Sequence, residues 1–293
     1  MKPLDSIRSA ELTRSRFAGR FQSNSVKKLF QHTSAVLLCF LIFSNSQAQS
    51  LIDRSTEYGI TAGEFNANFG SGVNFLDVND DGFDDLTIVN SNDSLRLFLS
   101  SGSDFIQAPA PVFCPPGTQH VLWADYDNDG DSDLFVVVDG GVNRLFNNLG
   151  NFSFEDVTLE SGMSLEPANN MGATFGDYDN DGLLDVYVCR YYLPNDPDGQ
   201  TNKLYHNNGD GTFDDVTELL GVGDDIKPSF IGAWIDINND LHPDLFVIND
   251  RFPANTLFRN NGDGTFTDIT EESGVAFPLN DPMSVTAGDF NND

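Results

Sequence analysis

The residues of this chain whose types and spacing could do chemistry are carboxylates, and they recur in one pattern. In Asp177–Asp185 (DYDNDGLLD) acids stand at positions one, three, five and nine, namely Asp177, Asp179, Asp181 and Asp185, with Gly182 sixth. The pattern returns with Asp77, Asn79, Asp81 and Asp85, with Asp125, Asp127, Asp129 and Asp133, and with Asp236, Asn238, Asp240 and Asp244. A fifth copy supplies Asp289, Asn291 and Asp293, where the sequence stops. Acids this close repel one another unless a cation sits among them, and the alternate spacing lets their oxygens converge. Hard oxygen donors in this number suit Ca²⁺, which takes about 6–8 oxygens at roughly 2.3–2.6 Å. The seventh residue, Phe83, Asp131, Leu183 or His242, is expected to add its backbone carbonyl.

Two rival readings of these stretches are weighed. An EF-hand needs a bidentate Glu at position twelve and flanking helices. Here that position holds Ile88, Val136, Val188 or Val247, all strand-forming residues, so an EF-hand is excluded. Plain Asp/Asn/Gly β-turns are the bland alternative, and four copies with an acid or amide at every ligand position argue against it. In the fourth copy Leu241 stands where Gly82, Gly130 and Gly182 stand elsewhere, and Pro243 follows. A strained or different turn with weaker binding is expected there. The Asn-Asn-Gly-Asp-Gly turns at 207–213 and 260–266 lack a ninth-position acid and read as hairpins.

The elements that must position these loops follow from their flanks. The loops begin at residues 77, 125, 177, 236 and 289, a period of about 53 residues. A short apolar or alternating segment precedes each one: 73–76, 121–124, 171–175, 231–235 and 285–287. A β-rich run follows each complete loop: 86–89, 134–138, 186–189 and 245–248. A third segment, a turn and a fourth segment such as FEDVT, FDDVT or FTDIT then close the unit. Four short strands repeated at a fixed period predict an all-β chain, a β-propeller of four-stranded blades. Leu51–Thr56 reads as an orphan fourth strand, and the fifth unit breaks off before its second strand. The expectation is therefore four complete blades plus partial ones, a C-terminally truncated piece of a longer chain. The strand order places the metal loops and the 3–4 hairpins on one face. The irregular 2–3 and 4–1 connections fall on the other, where variable loops commonly carry recognition. Arg190, Tyr191, Tyr192, Arg251 and Phe252 are the expected ligand surface, with packing between blades as the alternative for each.

DYDNDGLLD followed by NNGDGTFDDVTELLGV resembles the FG-GAP/VCBS repeats of integrin-α-like propellers, and is most similar to the cartilage acidic protein (ASPIC/UnbV-type) group. The resemblance covers everything from about residue 51 onward. It implies a seven-bladed ring in the full-length protein, with Ca²⁺ between the first and second strands of each blade. It carries the ligand role onto the loop positions named above: about four sites, the fourth weaker and a fifth truncated. It says little about the ligand, because one fold hosts many functions.

Charge and targeting bound the function classes. The chain has 293 residues and a formal net charge of −30, but residues 1–48 are net basic at +5 and the remainder holds −35. Such a surface disfavours nucleic acid and anionic lipid. Lys27–Lys28, the apolar run 35–43 and Ser46–Gln47–Ala48 read as an export signal with a cleavage site. Nine apolar residues are too few to span a bilayer, so no membrane insertion is expected after cleavage. This divides the chain into a leader at 1–48 and propeller repeats at 49–293, secreted or held at the cell surface or periplasm. Cys114 and Cys189 could pair in an oxidising compartment or stay as buried thiols. The four histidines show no zinc-ligand spacing, and neither a nucleophile elbow nor a phosphate loop is present. The expectation is a non-catalytic binding or adhesion module for an extracellular protein or glycan. A non-catalytic part of a larger secreted protein and a glycan-active hydrolase or lyase are the alternatives.

Overall fold

The structure, a computed structural model, describes residues 54–58, 72–90, 94–193, 196–251, 255–276 and 282–286. The leader 1–48, Phe252 and the fifth loop residues Asp289, Asn291 and Asp293 lie outside the described residues. All described residues belong to the unit that begins at Arg54.

Among the described residues, sixteen antiparallel strands form four blades. The first is β1 (Val73–Leu76), β2 (Asp85–Asn90), β3 (Ser94–Ser100) and β4 (Phe105–Ala108). The second is β5 (Thr118–Ala124), β6 (Asp133–Gly141), β7 (Arg144–Asn148) and β8 (Phe154–Asp156). The third is β9 (Ala168–Gly176), β10 (Asp185–Arg190), β11 (Lys203–Asn207) and β12 (Phe213–Asp215). The fourth is β13 (Ser229–Ile235), β14 (Asp244–Asn249), β15 (Thr256–Asn260) and β16 (Phe266–Asp268). Each blade pairs its strands in sequence order, and the ends of β6 and β9 bridge blades two and three through Asp139↔Asn169 and Gly141↔Ala168. This is the expected propeller architecture, with the strands where the flanking segments put them.

Two helical turns, α1 (Thr217–Leu220) and α2 (Thr270–Ser273), follow the fourth strands of blades three and four. The expected leading strand 51–56 is described only from Arg54, which enters a turn.

The core lies between blades. Strand two alternates its faces, so Leu134 and Val136 pack towards blade one while Phe135 and Val137 pack towards blade three. Tyr187, Cys189 and Leu204 meet Leu245, Val247 and Phe258 across the next seam. One contact recurs at each seam, from the first strand of a blade to the second strand of the blade before it. Trp123 Nε1 donates to Thr87 Oγ1 at 2.9 Å, Phe175 meets Phe135 edge-on at 6.0 Å, and Trp234 meets Tyr187 edge-on at 6.4 Å. Cys114 and Cys189 are buried and free, each in a different seam, which is the physical reason they do not pair.

Candidate metal centre

Each acidic loop joins strands one and two of its blade, and its backbone is folded by its own carboxylates. The first-position Asp accepts from the fifth and sixth residues: in the second loop Asp129 N and Gly130 N donate to Asp125 at 3.0 and 3.1 Å. The fifth-position Asp accepts from the seventh, as when Leu183 N donates to Asp181 Oδ1 at 2.8 Å. The fourth residue, Asp80, Asn128, Asn180 or Asn239, takes a left-handed backbone at φ 57 to 61°, and the sixth does so again. Leu241 adopts φ 71° and donates to Asp236 Oδ2 at 2.9 Å, as Gly182 does to Asp177 at 3.0 Å. The fourth loop is thus the same turn under strain, not a different one.

The ninth-position Asp ties the loop to the 3–4 hairpin. Asp133 Oδ2 accepts from Tyr126 N at 3.1 Å, and its Oδ1 from Asn148 N at 2.8 Å. Asp85, Asp185 and Asp244 repeat this with Ser100, Asn207 and Asn260. All four acids are buried, at 0–1% exposure. The seventh side chain lies over the hairpin: a Cβ on Gly102, Gly209 or Gly262 would meet Phe83, Leu183 or His242 within 3.0 Å, and one on Gly150 would meet Asp131 at 3.4 Å.

In loops two and three the carboxylates of positions one, three and nine converge. One oxygen from each of Asp125, Asp127 and Asp133 lies within 4.8 Å of the others, and Asp177, Asp179 and Asp185 form an equal group. Among the described residues, loops one and four bring no such acid trio together; their third position is Asn79 or Asn238. The fifth-position acids Asp129 and Asp181 stand outside these trios. Burial pushes the Asp133 carboxyl up to about 7, with Asp127 and Asp129 adding repulsion against two backbone donors that pull it down. Asp185 is raised first by burial, then by Asp179. Asp85 and Asp244 are also raised, burial again leading. An all-oxygen donor set, buried and crowded with like charge, fits a hard divalent cation.

The same loops stitch neighbouring blades, through residues the sequence reading passed over. Tyr126 reaches across a seam to Phe213 of the next blade (5.7 Å) and Tyr178 to Phe266 (6.0 Å). Asn207 Nδ2 donates to Tyr126 O at 2.8 Å and Asn260 Nδ2 to Tyr178 O at 2.7 Å, each back to the preceding blade. Asn128 Nδ2 donates to Gly182 O and Asn180 Nδ2 to Leu241 O, both at 3.0 Å, so successive loops touch. The repeated Asn-Asn-Gly motif was the signal available for the hairpin latch, which a hairpin-only reading overlooked.

At the opposite end, Arg190 and Tyr192 are 4% and 7% exposed and pack inside. Arg190 Nη1 donates to Gln200 Oε1 at 2.7 Å. Tyr191 donates its hydroxyl to Asp250 Oδ2 at 2.6 Å and bridges Pro228, drawing the connections of blades three and four together. Tyr191 is half-buried, and the Arg251 side chain is 52% exposed.

Four blades, each with an acidic 1–2 loop, and with loops two to four linked in series, define a repeat propeller of the FG-GAP type. The FG-GAP-like repeat matches at residues 77–136, 125–188, 191–247 and 236–293, and the chain belongs to that family. Cartilage acidic protein 1 of Mus musculus and of Homo sapiens are each 29% identical over 161 residues, covering 50% of this chain and 24% of their own length. The chain thus spans about a quarter of those relatives. Among solved structures, an Agrocybe aegerita lectin recognising non-reducing terminal N-acetylglucosamine is similar at TM-score 0.38 and 14% identity, covering 68% of this chain and 65% of its own. Trypanosoma rangeli sialidase is similar at TM-score 0.35 and 10% identity, covering 67% of this chain and 28% of its own. Among the described residues no helix is long and apolar enough to cross a membrane.

Proposed function

We propose that this chain is part of a secreted, calcium-binding propeller that serves as a non-catalytic recognition module for an extracellular protein or glycan. The observation that carries the reading is the placement of the ninth-position acids. Each is buried at the joint of loop and hairpin, amid other acids, and loops two and three also bond to the next blade. A cation there neutralises buried charge and ties two blades together, so Ca²⁺ acts as scaffold and not as a reaction centre. With the acids committed to loops and latches, recognition falls to the opposite end, where exposed Arg251 and half-buried Tyr191 are the accessible members of the expected ligand surface.

The test is binding of the calcium-loaded chain to immobilised glycans and extracellular proteins, repeated with Arg251→Glu and with an acid-to-amide change in the second loop. Saturable binding weakened by Arg251→Glu, without turnover of the bound material, is the expected result. Steady product release from a glycan would overturn the non-catalytic reading. Binding lost only with the loop change, at a temperature where that variant stays folded, would move recognition to the metal face.

A further inference from the structure

The four loops share one turn but differ in the residue aligned with them on strand three. One residue before Ser100, Asn148, Asn207 and Asn260 stand Leu99, Asn147, His206 and Arg259, aligned by the pairings Leu86↔Phe98, Leu134↔Phe146, Val186↔Tyr205 and Leu245↔Phe258. In blade two this position turns to the loop, where Asn147 Nδ2 donates to Asp127 Oδ2 at 3.0 Å. In blade three the same position brings an imidazole: His206 Nδ1 is 3.2 Å from Asp185 Oδ1 and 3.6 Å from Asp179 Oδ2. One oxygen from Asp179, one from Asp181 and a ring nitrogen of His206 all lie within 4.8 Å of one another. Tyr178 stands edge-on to the ring at 5.9 Å.

The third loop therefore offers two overlapping donor sets that share Asp179: the all-oxygen trio with Asp177 and Asp185, and a mixed set with a nitrogen. Calcium gains nothing from the nitrogen of the second set, because it takes oxygen ligands. Imidazole with carboxylates suits a borderline transition ion, and Zn²⁺ above all accepts three or four such donors. We propose that the third loop binds Zn²⁺ in competition with Ca²⁺, with His206 as its nitrogen ligand and Asp179 and Asp181 as oxygen ligands. The inference rests on the reading of the loops as cation sites, and makes the third chemically distinct from the other three.

The test titrates Zn²⁺ into the calcium-loaded chain and counts both metals after dialysis. One Zn²⁺ taken up per chain, with one Ca²⁺ released, is expected. His206→Asn should weaken zinc binding by about tenfold or more and leave the calcium count in zinc-free buffer unchanged. His242→Asn, at the neighbouring loop beside Asn180, should leave zinc binding intact. Equal zinc affinity in His206→Asn, or loss of zinc only in His242→Asn, overturns the assignment. Calcium without zinc uptake by the unmodified chain defeats this inference alone; uptake of neither ion defeats the calcium reading as well. Should His206→Asn not fold, ¹⁵N-histidine spectra of the unmodified chain decide: a zinc-induced shift confined to the ring nitrogens of His206 supports ligation, and an unmoved His206 refutes it.

Discussion

Leu241 holds a backbone angle of φ 71° that glycine holds in the three other loops, at 89 to 97°. A non-glycine residue in this region costs on the order of 1–3 kcal/mol. A Cβ at Gly82, Gly130 or Gly182 meets nothing within 4 Å, so the cost is the backbone angle and not a clash. Leu241→Gly should raise stability by about 1 kcal/mol in a denaturant titration; an unchanged or lower midpoint would contradict this. The acids allow a second expectation. Burial first, then the charges of Asp127 and Asp129, push the Asp133 carboxyl from the ordinary 3.8 up to about 7 in the fold. A carboxyl raised on folding favours the fold below its unfolded value, and that contribution is lost as pH rises through the folded one. In calcium-free buffer the unfolding midpoint should therefore rise as pH falls from 8 towards 5, whereas a fall over that range would refute the crowding of charge. Which carboxylates share a loop was legible from spacing, because they act within nine residues. That His206 and Asn147 face the same loops was not, since only the register of strand three against strand two brings them there.

An element-scale unit is formed by loop, hairpin and the helical turn behind it. Asn207 links all three sides of its joint: its backbone N donates to Asp185, and its side chain donates to Tyr126 O and to Leu184 O at 3.1 Å. Thr217 performs a similar service behind, where its hydroxyl accepts from Leu204 N at 2.9 Å; Thr158 and Thr270 repeat the bond to Leu145 and Leu257. Leaving buried acceptors without a donor costs about 1–3 kcal/mol. Asn207→Ala should lose that much in chemical denaturation, and Asn208→Ala, whose side chain bonds only the exposed Thr212 among described contacts, much less. Similar losses in the two variants would count against the latch. Strand positions could be read from the flanks of each loop, since apolar alternation and turn residues are local signals. The short helices α1 and α2 could not, because four residues leave no periodicity to detect.

Across the whole molecule, stability resides in seams that no single repeat contains. Gly172 of β9 shows how close the blades come: a Cβ there would lie 2.5 Å from Phe230 O of the next blade. Asparagines at the fourth loop position join loop two to loop three and loop three to loop four, but loop one has Asp80, whose side chain carries no amide N–H. Asp80→Asn should extend this chain of contacts to loop two and stabilise by about 0.5–1 kcal/mol; a loss would show that the first seam is set differently. The period of about 53 residues disclosed the blades, but pairings such as Trp123 on Thr87 depend on how blades stack, which a repeat length does not specify.

If the proposed cations in these loops hold the blades together, the chain must melt at different temperatures with and without calcium. Each site filled to 100 times its dissociation constant contributes about 2.7 kcal/mol to the folded state. Two such sites, in loops two and three, should raise the melting temperature by about 10 °C or more over the chain in excess EDTA. Coincident melting curves in millimolar calcium and in EDTA would contradict the claim.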